Sequence, residues 1–182
     1  MARLRRLFSE EPLEAGRAVR LDPRETHHAR NVLRLDRNDS LMIFDGRGNQ
    51  FQGRIAAYER NAAVVIPENP VPAAPETPVP IVVLVALAKG QAFETVLQHA
   101  VELAARCAIP FFCERSVVRL DKAGANRKRE RWREIALDAT KQCGRARTME
   151  VQEARSFDKA LQAVDRSFVR LCCADTPEAR SL

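Results

Sequence analysis

Residues 67–80 read PENPVPAAPETPVP and hold six of the chain's ten prolines. Proline fixes φ, lacks an N–H and restricts the residue before it, so no helix or central strand survives that density. The stretch is expected to be a stiff extended linker. It divides the 182 residues into units 1–66 and 81–182.

The first unit reads as mostly β. Ser40–Phe44 is a short apolar run, Asp45-Gly46-Arg47-Gly48-Asn49 is a hairpin turn signal, and Phe51, Gly53 and Ile55 alternate with polar residues. Ala62 to Ile66 makes a further strand. Short strands with such turns predict a small barrel. One helix is expected, over Thr26-His27-His28-Ala29-Arg30-Asn31-Val32-Leu33-Arg34. Thr26 would cap it, Ala29, Val32 and Leu33 would face inward, and Arg30 and Arg34 would lie one turn apart on the exposed side.

The second unit alternates strand and helix. Ile81–Leu87 is a continuous β-branched run, as in a strand buried on both faces. Lys89-Gly90 breaks it, and Phe93, Val96, Leu97, Ala100 and Leu103 follow at helical spacing. Residues 107–113 predict a strand, and Asn126–Gly144 a helix with Trp132, Ile135, Ala136, Ala139 and Cys143 inward and Gly144 as its C-cap. A short helix over 157–164 and a strand over 168–174 complete the pattern. That order predicts a parallel α/β sheet with right-handed crossovers.

Charge narrows the partners. Only five of the 30 cations are lysine, leaving 25 arginines, and residues 115–147 hold eleven basic against four acidic side chains. That region alone is net +7 against +6 for the whole chain, so the rest is about neutral. Such a surface suits a polyanion, and arginine suits phosphate and base stacking better than lysine. The longest apolar run, Ile81–Ala88, is too short to span a membrane, and MARLRRLF has no apolar stretch behind it to make a secretory signal. Five cysteines without C-x-x-C spacing argue for reduced thiols, several of them in the core, and a cytoplasmic location.

Common catalytic templates fail. Adjacent His27 and His28 point to different sides of a helix and cannot clasp one metal, and His99 is distant. There is no G-x-S-x-G and no G-x-x-x-x-G-K, and no helix follows DGRGN to make it a dinucleotide loop. What remains is polar residues at element ends: Lys89-Gly90, Glu114-Arg115-Ser116, Gln142 and Arg145.

These fragments have a recognisable order. H-H-x-x-x-V-L-R at His27–Arg34, F-D-G at Phe44–Gly46, K-G-x-x-x-E-x-x-x-Q-x-x-x-E-L at Lys89–Leu103, E-R-S at Glu114–Ser116 and Q-C-G-R at Gln142–Arg145 resemble the RsmE-type 16S ribosomal RNA (uracil-N3) methyltransferases. The resemblance implies an N-terminal PUA-like RNA-binding β-barrel over 1–66 and, after the 67–80 linker, a SPOUT-type α/β knot domain with a parallel sheet over 81–182. It further implies S-adenosyl-L-methionine as methyl donor, 16S ribosomal RNA or the small ribosomal subunit as partner, and a homodimer without metal. Two departures stand out. The family's helix-ending glycine after Glu-Leu is Ala104 here, so a different cap or a longer helix is expected. The family's Gly-Pro-Glu-Gly-Gly loop and Leu-Arg-x-Glu-Thr-Ala segment are not found before Leu182, so the α/β domain is expected to be truncated before the knot, with weak cofactor binding and no assignable cofactor-binding residues.

Methylation at N3 of a uridine requires an unpaired base and loss of the N3 proton, with charge developing on the flanking carbonyls. The resemblance then casts Arg115, Gln142 and Arg145 as catalytic: arginines to stabilise that charge, with Arg119 a further candidate, and Gln142 on the base edge. Glu102 would orient an arginine. Arg30, Arg34, Lys89, Arg119 and Lys122 would hold RNA, with the histidines supporting their helix. Two other functions fit the residues: a non-catalytic RNA-binding module, and an inactive fragment. A DNA-binding role fits less well, because no helix-turn-helix partner or zipper accompanies the basic helix.

Overall fold

The computed structural model describes residues 5–88, 91–113 and 122–173, apart from the side chains of Lys122 and Ala123. The first unit is a mixed five-stranded sheet of β1 (Arg6–Phe8), β2 (Val19–Arg20), β3 (Ser40–Phe44), β4 (Gln50–Glu59) and β5 (Ala62–Pro70), in the order β1-β3-β4-β5-β2. It curls half-way round a core of Leu7, Val19, Leu21, Leu35, Leu41, Ile43, Ile55 and Val65. Bulges at Gln52/Gly53 and Ile55/Ala57 bend β4 to make that curl. Gly53 has to be glycine, since a Cβ there would lie 2.5 Å from the Ile66 carbonyl oxygen. β1 and β2 are too short for an alternating pattern to reveal them.

The proline-rich stretch is not linker throughout. β5 continues through Pro67 and Pro70, which face Gly53 and Phe51 of β4. Strand formation succeeds here because β2 pairs only with Val64 and Val65, leaving residues 67–70 on an edge where a missing N–H costs no ladder bond. The linker beyond is also tied down. The Val71 amide donates to the Gln50 carbonyl (2.9 Å) and Gln50 Nε2 donates to the Pro72 carbonyl (2.7 Å).

In the second unit β6 (Val82–Ala86), β7 (Cys107–Phe112) and β8 (Glu150–Val151) run parallel in that order, and β9 (Arg155–Ser156) extends along β7. Helix α2 (Ala92–Glu102) links β6 to β7, and α3 (Lys122–Cys143) precedes β8. Both cover one face, where Val83 and Val85 meet Phe93, Leu97, Val101, Trp132 and Ala136. Helix α4 (Phe157–Gln162) covers the other, where Val82 and Leu84 join Cys107, Ile109 and Ala160. The apolar run of β6 thus packs on both faces, but as the outer strand of the described sheet it is half-buried along its whole length rather than fully buried.

Four local expectations are corrected. Val96 and Leu103 are exposed, because the buried face of α2 runs Phe93–Leu97–Ala100–Val101. Cys143 is exposed, as are Cys113, Cys172 and Cys173, so Cys107 alone of the five is a core residue. No strand forms over 168–173; Val169 is 85% and Leu171 65% exposed, so this apolar run has no sheet to join among the described residues. Finally, α2 ends in the left-handed cap expected of a glycine although the residue is alanine. Ala104 has φ 62°, the Ala105 amide reaches back to the Ala100 carbonyl (2.8 Å), and the Ala104 amide reaches Val101 (3.0 Å). That pair of bonds is the Schellman motif, formed without its usual residue.

Candidate nucleic-acid interface

The segment Pro23–Val32 changes winding half-way. Asp22 caps α1 (Pro23–His27), its carboxylate accepting the Glu25 amide at 2.8 Å, so Thr26 is not the cap. Thr26 is buried instead, donating to the Leu21 carbonyl and accepting the Ala63 amide. From His28 to Val32 the backbone is π-wound, with the Leu33 amide reaching the His28 carbonyl. Arg34 follows at φ 52°. The wider turn and left-handed exit mean that Arg30 and Arg34 are not successive positions on one α-helical face. Arg34 is exposed, while Arg30 lies over the Tyr58 ring with its guanidinium carbon 4.5 Å from the centroid. The Tyr58 hydroxyl donates to the Leu35 carbonyl, which fixes the ring. Single-turn π segments are frequent at functional sites because they re-aim side chains.

This segment forms one wall of a cleft of about 570 Å³ between the two units. His27, His28, Val32 and Leu33 line it from the first unit, and Asp138, Lys141 and Gln142 from the end of α3. Arg5, Arg6 and Arg24 add positive charge. At its base lies a buried ion pair between Glu25 (1% exposed side chain) and Lys141 (11%). The second carboxylate oxygen of Glu25 accepts the Phe8 amide at 3.0 Å, so the anion is satisfied on both sides. Arg24 meets Glu134 at 3.4 Å and Asp138 at 3.1 Å, both on α3. Burial, and then the Lys141 charge, hold His28 below the ordinary histidine range, so it is neutral at pH 7. His27 Nδ1 pairs with the Asn31 amide nitrogen at 2.7 Å across one turn.

The hairpin turn after β3 docks the units together. Asp45 accepts the amides of Arg47 (2.8 Å) and Asn49 (3.2 Å), which shapes the turn. Its tip then bonds to the segment after α3: the Thr148 amide donates to the Gly46 carbonyl and the Gly48 amide to the Ala146 carbonyl, each at 3.1 Å. Gly46 has φ 71°, and a Cβ there would lie 2.9 Å from Thr148 Oγ1.

Two of the three expected catalytic side chains are described. Gln142 lines the cleft beside the histidine segment. Arg145 does not join it. Its guanidinium is buried, with one nitrogen donating to the carbonyls of Val101 (2.9 Å) and Ala105 (3.5 Å), and the other two to the Glu76 carboxylate of the linker. The geometry is that of a clasp closing the C-terminus of α2 against the linker, rather than of a cation offered to a substrate. Glu102, expected to orient an arginine, is the exposed last residue of α2. Lys89, Arg115 and Arg119 lie outside the described residues, and of Lys122 only its place at the start of α3 is described. Sequence reasoning missed Glu25, Lys141, Arg24 and Tyr58. Each gains its role from a partner 23 to 116 positions away, which no local pattern signals. Among the described residues no cluster of His, Cys, Asp or Glu could hold a metal, and no helix is long and apolar enough to cross a membrane.

Comparison with known proteins gives this geometry a context. Residues 75–182 match a family model described as an RNA methyltransferase domain, and residues 21–68 one described as an RNA methyltransferase PUA domain. The ribosomal RNA small subunit methyltransferase E of Bacillus subtilis (strain 168) is 29% identical over 155 residues, covering 85% of this chain and 60% of the relative. That of Synechocystis sp. is 28% identical over the same length, covering 85% and 48%. The chain thus spans about half to three fifths of the length of these relatives. Among solved structures, a ribosomal RNA small subunit methyltransferase E from Neisseria gonorrhoeae bound to S-adenosyl methionine superposes with a TM-score of 0.84 at 29% identity, covering 90% of this chain and 67% of that one. A methyltransferase from Legionella pneumophila in complex with the same cofactor gives 0.83 at 26% identity, covering 91% and 69%.

Proposed function

Because the chain belongs to the RNA methyltransferase family whose methyltransferase and PUA domains it matches, we propose that it takes part in methylation of N3 of a uridine in the 16S ribosomal RNA of the small subunit. The observation that carries the proposal is the cleft between the units. It sets the π-wound histidine segment of the RNA-binding unit against Gln142 and Lys141 of the methyltransferase unit, with Arg5, Arg6 and Arg24 around it. A polyanion lying there touches both units at once. The Arg30–Tyr58 pair adds a fixed planar cation of the kind that bases stack on. Gln142 offers a donor and an acceptor to a base edge. Arg145 acts as a positioning residue, setting α2 and the linker relative to the end of α3.

The methyl donor of this reading is S-adenosyl-L-methionine, in line with the two solved relatives that carry it. Its contribution when bound is an electrophilic methyl on a sulfonium. The cleft between the units does not fit it. A sulfonium is poorly matched to the cations that line this cleft, and the cleft's buried carboxylate is already paired with Lys141. No step is therefore assigned to it. A second reading, RNA binding without methyl transfer, draws on the same basic cleft. A homodimer in the cytoplasm belongs to the first reading; the exposed Val96 and Leu103 on α2 offer apolar surface to a second copy.

The test is transfer of labelled methyl from S-adenosyl-L-methionine to small-subunit ribosomal RNA, with the product mapped by nuclease digestion and mass spectrometry. N3-methyluridine in the digest is the expected result. RNA binding with a steep salt dependence but no incorporated label would establish the second reading instead.

A further inference from the structure

Helix α3 carries five cations in the seven residues Arg127–Arg133, and the structure divides them. Arg129 meets Glu153 at 2.9 Å, Arg131 grips both oxygens of Glu94 at 2.7 and 3.0 Å, and Arg133 meets Glu130 at 2.9 Å. Arg127 and Lys128 have no ion pair or hydrogen bond among the described residues. A face made only to be wet would have no hollow beneath it. Here the two cations sit on the rim of a second cleft, of about 490 Å³, at the C-terminal end of β6. Parallel α/β sheets take their ligands at that end. The floor is the tilted pair Phe93 and Trp132, ring centroids 4.6 Å apart and 3% and 4% exposed.

We infer that this second cleft is a binding site for the phosphodiester backbone of an RNA strand, held by Arg127 and Lys128. The inference rests on the RNA reading above and extends it to a second site. Phosphate rather than base is the recognised group, because the aromatic floor is buried and leaves little ring face to stack upon. Glu94 holds Arg131 in the cleft wall and keeps that carboxylate from repelling the strand. Lys128 and Lys141 are thirteen residues apart on α3, which places the two clefts about 20 Å apart along its axis. One strand touching both would be held at two points, a contact that gives affinity and register but reads no sequence.

Filter binding of a small-subunit ribosomal RNA fragment across a salt series tests the site, with Trp132 emission as a second readout, since it is the only tryptophan. Arg127→Gln/Lys128→Gln is expected to weaken binding about tenfold or more at low salt. It should also reduce the slope of log K against log salt by roughly 1.4, the value for two lost contacts to a single strand. The Trp132 response to RNA should vanish while the far-ultraviolet circular dichroism is kept. Arg17→Gln/Arg133→Gln removes the same charge from two paired, exposed arginines and should keep wild-type binding. Unchanged affinity and slope in the first variant would overturn the site. So would a Trp132 response to inorganic phosphate at matched ionic strength with RNA affinity unaltered by the variant, which would make the cleft a free-anion site. Wild-type protein that binds no RNA at all would remove the underlying reading rather than the placement.

Discussion

Replacing Ala104 with glycine should stabilise the protein, against the usual direction of core-adjacent substitutions. Ala104 sits at φ 62° and closes the Schellman cap of α2. An L-residue in the left-handed region costs about 1–2 kcal/mol, because its Cβ crowds the next carbonyl. Glycine removes that cost but adds about 0.4–1 kcal/mol of unfolded-state entropy. The balance favours Ala104→Gly by about 0.5–1 kcal/mol, and for a chain of this size each kcal/mol moves Tm by about 2–4 °C. Thermal unfolding followed at 222 nm should therefore show a rise of about 1–4 °C. Ala104→Val should lower Tm, since a β-branched side chain is the least tolerant of positive φ. A lower Tm for the glycine variant, or a higher one for valine, would refute the cap geometry.

Arg145→Ala should cost about 2–3 kcal/mol in urea unfolding, since it strips charge-assisted bonds from two carbonyls and Glu76; unaltered stability with reduced RNA methylation would return Arg145 to a catalytic role. Glu25→Gln should cost about 3 kcal/mol by leaving the buried Lys141 only the exposed Asp138 carboxylate, 3.8 Å away, measured the same way. Ellman's reagent at pH 8 should titrate Cys113, Cys143, Cys172 and Cys173 in native protein and Cys107 only after unfolding, because burial, helped by Glu150, pushes the Cys107 thiol up to about 11. The folded state then holds the Cys107 proton more tightly than the unfolded one. Its contribution is complete below about pH 9 and is lost as pH rises toward 11, so Cys107→Ala should flatten the decline in stability over that window.

The legible parts of the fold were those where one local pattern decides. Ile81–Leu87 and the DGRGN turn declared a strand and a hairpin because their neighbours in sequence are also their determinants. β8 and β9, two residues each, hold their places only by pairing with β7, and nothing in the sequence around them shows it. Residues 168–173 failed the other way, since β-propensity supplies no partner for a strand. In the candidate site, Gln142 was legible from its family motif, and the charge of α3 from composition. Which cations are neutralised was not legible, because Glu94 and Glu153 reach α3 from other elements. The position of Arg145 in its motif was plain, but its burial under the linker follows from a Glu76 that no motif includes.

Pro67 and Pro70 have an effect beyond leading into the linker. They occupy the stretch of β5 with no strand opposite β4, where the Gly16 amide covers the buried Pro67 carbonyl (2.7 Å) and residues 68–70 are exposed. An open strand edge is a template on which a second chain can add itself hydrogen bond by hydrogen bond. Gly16 closes the edge at Pro67, and beyond it the charged Glu68 and a Pro70 without an N–H leave an incoming strand little to pair with. The same residues that stiffen the passage between the units thus guard the first unit against self-association through its sheet.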